Sequence, residues 1–189
     1  MDAATDGPPL GLASLQRELA LRHGLPPVER WNPRYCGAID IRIARDGSWF
    51  HEGTPIGRRE LVRLFSTILR KDADGFHLVT PAEKLRIEVE DVPFIASLLD
   101  VEGAGPTQRL IFTTNVGDQA IAGPDHPIRI AEGTAGPAPY VHVRQGLEAR
   151  IGRNVFYQLA DLAVAGTGSF EGWLGVWSEG VFFPLESPA

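Results

Sequence analysis

Two arginines follow the same residue pair at two points of the sequence, and at both points the pattern predicts the start of a helix. Ile56-Gly57-Arg58 and Ile151-Gly152-Arg153 are identical tripeptides 95 positions apart. An arginine in the first helical turn lies beside unpaired N–H groups and the positive end of the helix dipole. The preceding glycine allows a ligand to approach the backbone closely. This combination favours the binding of phosphate or carboxylate.

Each of these arginines also has carboxylates nearby in the sequence. Arg58 is close to Glu52 and Glu60, and Arg153 is close to Glu148. Ion pairing with them is the structural alternative to ligand binding, and such pairs at a surface contribute little stability. The sequence leaves both interpretations open.

A second group of arginine and aromatic residues lies between positions 140 and 157. On a strand, Tyr140, His142 and Arg144 would share one exposed face, because successive side chains point to opposite faces. On the helix that follows, Arg153 and Tyr157 are four residues apart and therefore neighbours. Arginines placed in this way suit phosphate, and tyrosines suit the stacking of a nucleobase. The alternative is a solvated face with amphipathic tyrosines at a domain boundary.

A turn after a predicted strand adds two further candidates. Thr80 and Lys84 flank Pro81, and Lys84 is one of two lysines among 18 cationic residues. We place this turn at the same boundary. The full set of predicted ligand-binding residues is Arg58, Thr80, Lys84, Tyr140, His142, Arg144, Arg153 and Tyr157.

The sequence carries none of the common catalytic or cofactor motifs. Its five histidines form neither an HxH nor an HExxH pattern, and it lacks a P-loop, a dinucleotide-binding glycine motif and a G-x-S-x-G serine motif. We therefore predict no catalytic residue, no metal and no cofactor, and we lean against an enzyme. A hydrolase of nucleotides or phosphoesters is the least favoured hypothesis.

Composition limits the class of protein and of partner. The 189 residues are 43% hydrophobic and 22% charged, which is ordinary for a globular protein and excludes a disordered or fibrous chain. A net charge of -6 disfavours nucleic acid and anionic membranes as partners. A single cysteine, Cys36, fits a reducing cytoplasm and is predicted to be a small buried residue. Since we find neither a signal peptide nor a long apolar run, we expect a cytoplasmic protein.

Hydrophobic periodicity predicts strands and two amphipathic helices. Ile39, Ile41 and Ile43 alternate with polar residues as in a half-buried strand, and Asp46-Gly47 predicts a hairpin turn after it. The helices are predicted over 57–70 and 152–164, each with five apolar residues on one face. Those faces are Leu61, Leu64, Phe65, Ile68 and Leu69 in the first and Phe156, Leu159, Ala160, Ala163 and Val164 in the second.

The recurrence of a strand, the tripeptide, an amphipathic helix and a strand pair indicates an internal duplication. The predicted fold is α+β, with two small related strand-helix-strand units and mostly antiparallel sheets. We divide the chain into an N-terminal arm with one helix through Leu12, Leu15 and Leu19 (1–34), a first unit (35–90) and a second unit (91–189). Units this small should share an interface to complete their cores.

A series of motifs extends in order between residues 30 and 185. They are Gly37–Ile43, Asp46–Trp49, Pro55–Arg58, Leu61–Leu69, Leu78–Lys84, Pro139–Arg150 and Arg153–Leu159. Together they resemble the motifs of the bacterial "domain of unknown function 1285" family. The resemblance implies a two-part fold with a duplicated core and a second part similar to a pleckstrin-homology fold. It also implies a nucleotide-like ligand between the two parts and a role in signal transduction.

These observations lead to one functional hypothesis and one alternative. The first is a cytoplasmic protein that binds a small anionic, nucleotide-like ligand at the interface of two related domains. The alternative is a protein-protein interaction module that uses an exposed sheet face or edge, as pleckstrin-like folds do. That alternative predicts an exposed apolar patch near Trp173, Trp177, Phe182 and Phe183.

Overall fold

The computed structural model describes residues 25–133 and 136–186. The helix predicted through Leu12, Leu15 and Leu19 lies outside these residues. The described chain forms two compact units, one from residues 25–40 and 57–87 and the other from residues 41–56 and 88–186. No helix in the described part of the chain is long and apolar enough to cross a membrane.

The first unit contains one helix and four strands. Its strands follow the order β1-β6-β5-β4, and the last three form an antiparallel meander. Strand β1 begins in this unit and continues into the second, and a short 3-10 helix, Val28–Arg30, precedes it. The elements are β1 (Tyr35–Ile43), α1 (Arg59–Thr67), β4 (Leu69–Asp72), β5 (Gly75–Val79) and β6 (Lys84–Val89).

Helix α1 is shorter than the pattern predicts. It ends at Thr67, Ile68 caps it, and Leu69 already pairs with Leu78 in the sheet. Ile68 and Leu69 are buried, with 1% and 0% of their surface exposed. The prediction that the helix extends to residue 70 is wrong. The buried strand that follows the helix is also apolar, and its residues continue the helical spacing.

The second unit is mostly β-structure. Its main sheet has the order β10-β11-β12-β7-β8-β9, and a separate sheet has the order β13-β14-β15. Strands β2 and β3 complete an antiparallel ribbon with the end of β1. The elements are β2 (Trp49–His51), β3 (Thr54–Pro55), β7 (Phe94–Glu102), β8 (Arg109–Thr114), β9 (Gln119–Ile121), β10 (Ile128–Gly133), β11 (Gly136–Arg144), β12 (Leu147–Ile151), α2 (Arg153–Asp161), β13 (Val164–Ala165), β14 (Leu174–Ser178) and β15 (Val181–Glu186).

Alternation along the strands builds the core of the second unit. In β8, Leu110 and Phe112 are completely buried, whereas Ile111 and Thr113 are partly exposed. Strand β12 alternates in the same way. Its pairing with β7 is parallel, whereas the other strand pairs of this unit are antiparallel. The predicted α+β class with mostly antiparallel sheets is thus confirmed.

The predicted hairpin at Asp46-Gly47 is also present. Ile43 pairs with Trp49 across it, and the Asp46 carboxylate accepts a hydrogen bond from the Ser48 N–H at 2.9 Å. The hydrogen bonds from Ser48 lower the pKa of Asp46. Gly47 supplies a positive φ of 83°, which residues with a Cβ rarely adopt.

Helix α2 differs from its prediction in length and in the face it buries. It ends at Asp161, and its buried residues are Val155 and Leu159. Ala160 is exposed, and Val164 lies in strand β13 with 47% of its surface exposed. The prediction of Ala160 and Val164 on the core face is wrong, because a small apolar residue does not by itself identify the buried side of a helix. Phe156 is half-buried.

The two helices correspond at a spacing of 94 residues. They begin at Arg59 and Arg153, and their seventh residues, Phe65 and Leu159, are both buried. The repeated tripeptide is therefore one position out of register with the helices that follow it. Cys36, predicted to be buried, is exposed, and its thiol lies 3.3 Å from the Arg34 carbonyl oxygen.

Candidate functional site

Tyr140 of β11 is buried, contrary to the prediction of an exposed face. Only 3% of its surface is accessible, and it packs in an apolar cluster with Val92 and Ala138. Its hydroxyl donates to the Asp91 carboxylate at 3.0 Å, and the Arg129 guanidinium lies 4.5 Å from the centre of its ring. Burial, together with the hydrogen bond to Asp91, raises the pKa of Tyr140. Both its ring and its hydroxyl thus have protein partners.

Arg144, at the end of the same strand, is also largely enclosed. Its side chain is 13% exposed, forms an ion pair with Asp118 and lies 5.1 Å from the centre of the Phe94 ring. Burial lowers the pKa of Arg144, and Asp118 opposes that effect. A bulge between His142 and Arg144 shifts the register with β12. Side-chain alternation therefore does not hold through this part of β11.

His142 is fixed by two backbone groups. Its Nδ1 lies 2.9 Å from the Asp125 carbonyl oxygen, and its Nε2 accepts the Gly146 N–H at 3.1 Å. A carbonyl oxygen only accepts, so Nδ1 is the donor to Asp125. The ring stacks on His126, with 5.6 Å between ring centres. These contacts connect the turn between β9 and β10 to the turn between β11 and β12.

The start of α2 matches the predicted pairing of arginine and tyrosine. Arg153 is the first helical residue, and its Nε donates to the Tyr157 hydroxyl at 3.0 Å. Its guanidinium lies 5.7 Å from the centre of the tyrosine ring, which belongs to a side chain that is 53% exposed. No acidic residue occupies the first turn, and Gly152 offers no side-chain cap. The positive end of this helix therefore carries an exposed cation.

Arg58 of the first unit is placed differently. It is the N-cap of α1 rather than a helical residue, and it is exposed. Glu60 lies in the first turn of this helix and favours its positive end. The expectation of an arginine inside the first turn holds for Arg153, whereas Arg58 precedes the first turn.

Thr80 has a local structural role. Its Oγ1 accepts hydrogen bonds from the N–H groups of Ala82 at 3.3 Å and Glu83 at 3.0 Å. The Thr80 N–H also donates to the Glu83 carbonyl at 2.9 Å. These bonds close the turn between β5 and β6, as hydroxyl side chains do in turns.

Lys84 lies in a charged network that the sequence analysis did not predict. Its ammonium is 2.6 Å from one Asp72 carboxylate oxygen, and Arg70 Nε is 2.9 Å from the other. Burial acts to raise the pKa of Asp72, but the hydrogen bonds from Arg70 and Lys84 outweigh it, so the pKa is below its ordinary value. Arg70 also donates to the carbonyl oxygens of Val28 and Trp31. This network ties the segment before β1 to the β4–β5 hairpin.

His77 lies at the centre of the network. It is completely buried, and its Nδ1 and Nε2 are each 3.5 Å from a carboxylate oxygen, of Asp72 and Asp74 respectively. The donor atoms of these three residues lie within 4.8 Å of one another, as in a metal site. However, the Lys84 ammonium already contacts Asp72 and is 4.0 Å from Asp74. The residues thus suit an internal ion network with lysine as its cation better than a divalent metal.

We expect acidification to destabilise the protein through His77. Burial, followed by the charge of Lys84, lowers its pKa below the ordinary value near 6.5. The unfolded chain therefore takes up this proton at higher pH than the folded chain, and stability falls as the pH drops below about 6.5. Asp72, with its lowered pKa, adds a loss at more acidic pH.

Urea unfolding at several pH values measures this effect. The His77→Gln variant should show a flatter dependence between pH 6.5 and 5 than the unmodified protein. His51→Gln is the matched control, because His51 is exposed on β2, and it should leave the slope unchanged. An equal slope in all three proteins would show that His77 does not titrate on unfolding.

The predicted residues are divided between the two units. Arg58, Thr80 and Lys84 belong to the first and the other five to the second. Within the second unit, Arg153 and Tyr157 are in contact, whereas Tyr140 and Arg144 pair with Asp91 and Asp118. A ligand-binding role for the eight residues stays a prediction.

The sequence did not reveal the charged residues that contact the predicted site residues. Asp72, Asp74 and His77 lie on one hairpin, and their spacing D-x-D-x-x-H was a readable signal. Asp91 and Asp118 gave no such signal, because they contact residues 49 and 26 positions away.

These features define a two-domain protein of mostly β-structure, in which the described part of each unit contains one nine-residue α-helix. Two family models match the chain: "Domain of unknown function (DUF1285), N-terminal domain" over residues 26–92, and "Protein of unknown function (DUF1285), C-terminal domain" over residues 93–185. The chain belongs to the DUF1285 family, which confirms the resemblance found in its sequence.

Solved structures include similar proteins. A DUF1285 family protein from Silicibacter pomeroyi DSS-3 is 52% identical, with a TM-score of 0.82 over 92% of this chain and 94% of that chain. A DUF1285 family protein from Shewanella baltica OS155 is 28% identical, with a TM-score of 0.48 over 62% of this chain and 87% of that chain. A search of curated proteins found no match.

Proposed function

We propose that this protein binds a small anionic, nucleotide-like ligand and relays the bound state as a signalling protein. The observation that carries the proposal is the exposed Arg153 at the start of α2. The helix offers N–H groups without a side-chain cap, and its first turn contains no carboxylate to compete with an anion. Tyr157, 53% exposed and in contact with Arg153, supplies an aromatic face for a base.

The other predicted residues have narrower roles in this proposal. Arg58 is exposed at the start of α1 and offers a second cation. Tyr140 and Arg144 act by holding β11 in place, because their polar groups are already paired with Asp91 and Asp118. We further propose that the second domain is similar to a pleckstrin-homology fold, on the support of its mostly antiparallel sheet and the helix after β12.

A thermal-shift screen tests the ligand proposal. Its probes are ADP, GTP, inorganic pyrophosphate and inorganic phosphate. A ligand that binds only the folded state raises the melting temperature, because it adds RT ln(1 + [L]/Kd) to the free energy of unfolding, where [L] is the free ligand concentration. Arg153→Ala should weaken the binding of a stabilising probe roughly tenfold or more, because hydrogen bonds to charged groups are worth about 1.5–3 kcal/mol.

Two variants control that experiment. Arg30→Ala removes an arginine that is 82% exposed in the 3-10 helix before β1, and it should leave the shift unchanged. Tyr157→Phe keeps the ring but removes the hydroxyl that Arg153 contacts. Stabilisation that survives Arg153→Ala would place the anion elsewhere, and no stabilisation by any probe would count against the proposal.

A protein-interaction module is the second candidate, on a surface other than the predicted one. Phe182 and Phe183 are 5% and 4% exposed, so the predicted apolar patch at these residues is wrong. The Phe182 ring packs against Phe170 and Trp177, with 5.0 and 5.2 Å between ring centres. The observation that favours this candidate is on β7, where Leu98 and Val101 are 60% and 42% exposed.

A further inference from the structure

A cavity in the second unit lies on the outer face of strands β8 and β9. Ile111 and Ile121 form a cross-strand pair on that face. The alternate residues Leu110, Phe112 and Ala120 point into the core and are buried. The outer face of a sheet usually meets solvent, but here it forms the apolar floor of a concave site.

Two turns and the end of a strand form the sides of the cavity above this floor. The turn from Gly123 to His126, Glu102 at the end of β7, and Glu179 in the β14–β15 turn surround a cavity of about 380 Å³. That volume is within the range of small-molecule sites. A Cβ on Gly123 would lie 2.9 Å from a Glu179 carboxylate oxygen. Glycine at this position therefore lets the carboxylate approach the opposite wall.

The cavity has an excess of negative charge. Arg109 forms an ion pair with Glu102, and its Nε lies 3.5 Å from a Glu179 carboxylate oxygen. One guanidinium thus serves two carboxylates. Asp125 adds a third carboxylate to the lining, which leaves two negative charges in excess. A cation that enters the cavity gains Coulombic energy from them.

Gln119 in the lining also favours a hydrogen-bond donor as ligand. It donates its amide N–H to Thr113 Oγ1 at 3.4 Å, which leaves its carbonyl oxygen as an acceptor. His126 lines the same cavity, and its Nδ1 donates to the His142 carbonyl oxygen at 3.1 Å, because a carbonyl oxygen only accepts. The carboxylates and the amide oxygen together match a group with several N–H donors.

We propose that this cavity binds a small organic cation with an ammonium or guanidinium group. The charged group would be held by Asp125 and Glu179, and the apolar part of the ligand would cover Ile111 and Ile121. The apolar floor favours an organic cation over a metal ion, because a hard metal ion needs oxygen ligands on all sides and the floor offers none. This site is independent of the anion site proposed at Arg153.

Isothermal titration calorimetry of the full chain tests this proposal. The probes are putrescine and agmatine, with 1,4-butanediol as the uncharged analogue of putrescine and magnesium chloride as an inorganic cation. We expect the two amines to bind, the diol not to bind, and amine affinity to fall as salt concentration rises. Asp125→Asn should weaken amine binding roughly tenfold, since it removes a charged acceptor.

Asp161→Asn is the matched control. It removes an exposed carboxylate at the end of α2 that does not line the cavity, and it should leave amine affinity unchanged. Unchanged melting temperatures without ligand will show that both variants fold. Equal binding of diol and amine, equal loss in both variants, or no amine binding would overturn the proposal. Binding of magnesium that Asp125→Asn abolishes, without amine binding, would overturn it in favour of an inorganic cation.

Discussion

Replacing Phe94 with alanine is expected to lower the free energy of unfolding by about 3–5 kcal/mol, because it leaves a cavity at a fully buried position. Phe94 has no exposed surface and begins β7, the strand to which both β12 and β8 pair. Its ring also lies 5.1 Å beneath the Arg144 guanidinium. The substitution therefore removes both core volume and the apolar support of the Arg144–Asp118 ion pair.

Urea unfolding followed by circular dichroism measures this loss. Phe94→Leu should cost clearly less, because it retains most of the buried volume. Leu98→Ala is the control on the same strand. Leu98 is 60% exposed, and its truncation should change stability by no more than about 0.5 kcal/mol. A similar loss from Phe94→Ala and Leu98→Ala would contradict the assignment of Phe94 to the core.

Arg70→Ala is expected to cost roughly 2–4 kcal/mol in the first unit. Its side chain is 15% exposed and donates to two backbone carbonyls, of Val28 at 3.0 Å and Trp31 at 2.8 Å. The Val28 carbonyl still accepts the Trp31 N–H at 3.3 Å, but the Trp31 carbonyl loses its Arg70 donor, and a buried acceptor without its donor costs about 1–3 kcal/mol. The substitution also removes one of the two cations that contact Asp72. The segment before β1 would lose its attachment to the β4–β5 hairpin.

Chemical denaturation and hydrogen exchange together test the role of Arg70. Arg70→Lys keeps the charge beside Asp72 but lacks the planar fork that reaches two carbonyls and a carboxylate, so it should recover only part of the loss. Arg63→Ala, on the exposed side of α1, is the control and should be nearly neutral. Unchanged exchange of the amides near Val28 and Trp31 in Arg70→Ala would contradict this role.

Much of the fold could be predicted from local patterns. Alternation at Ile39, Ile41 and Ile43 and the Asp46-Gly47 turn were sufficient for the first hairpin, because pleat and turn chemistry are local properties. Strands β3, β4, β9, β12 and β13 were not predicted. Strands β3 and β13 have two residues each and therefore contain no period. The ends of the helices were also wrong, because a buried strand directly after α1 extends the same apolar pattern.

The candidate site was less accessible to prediction. Arg153 and Tyr157 were paired correctly, because a spacing of four on a helix fixes their proximity. Tyr140 was placed on an exposed face, although it is 3% exposed. Alternation on a strand says which residues share a face, but it does not say whether another segment covers that face. Asp91, 49 positions away in the sequence, is such a partner.

The sequence by itself determined the family, the α+β class, most of the strands and the contact between Arg153 and Tyr157. Each of these depends on residue order or on spacings within one element. The tertiary structure alone decided that residues 41–56 pack in the second unit, that Lys84 pairs with Asp72, and that Glu102, Asp125 and Glu179 line one cavity. Charges on separate loops act on one another over a few ångströms, and only the folded chain sets those distances.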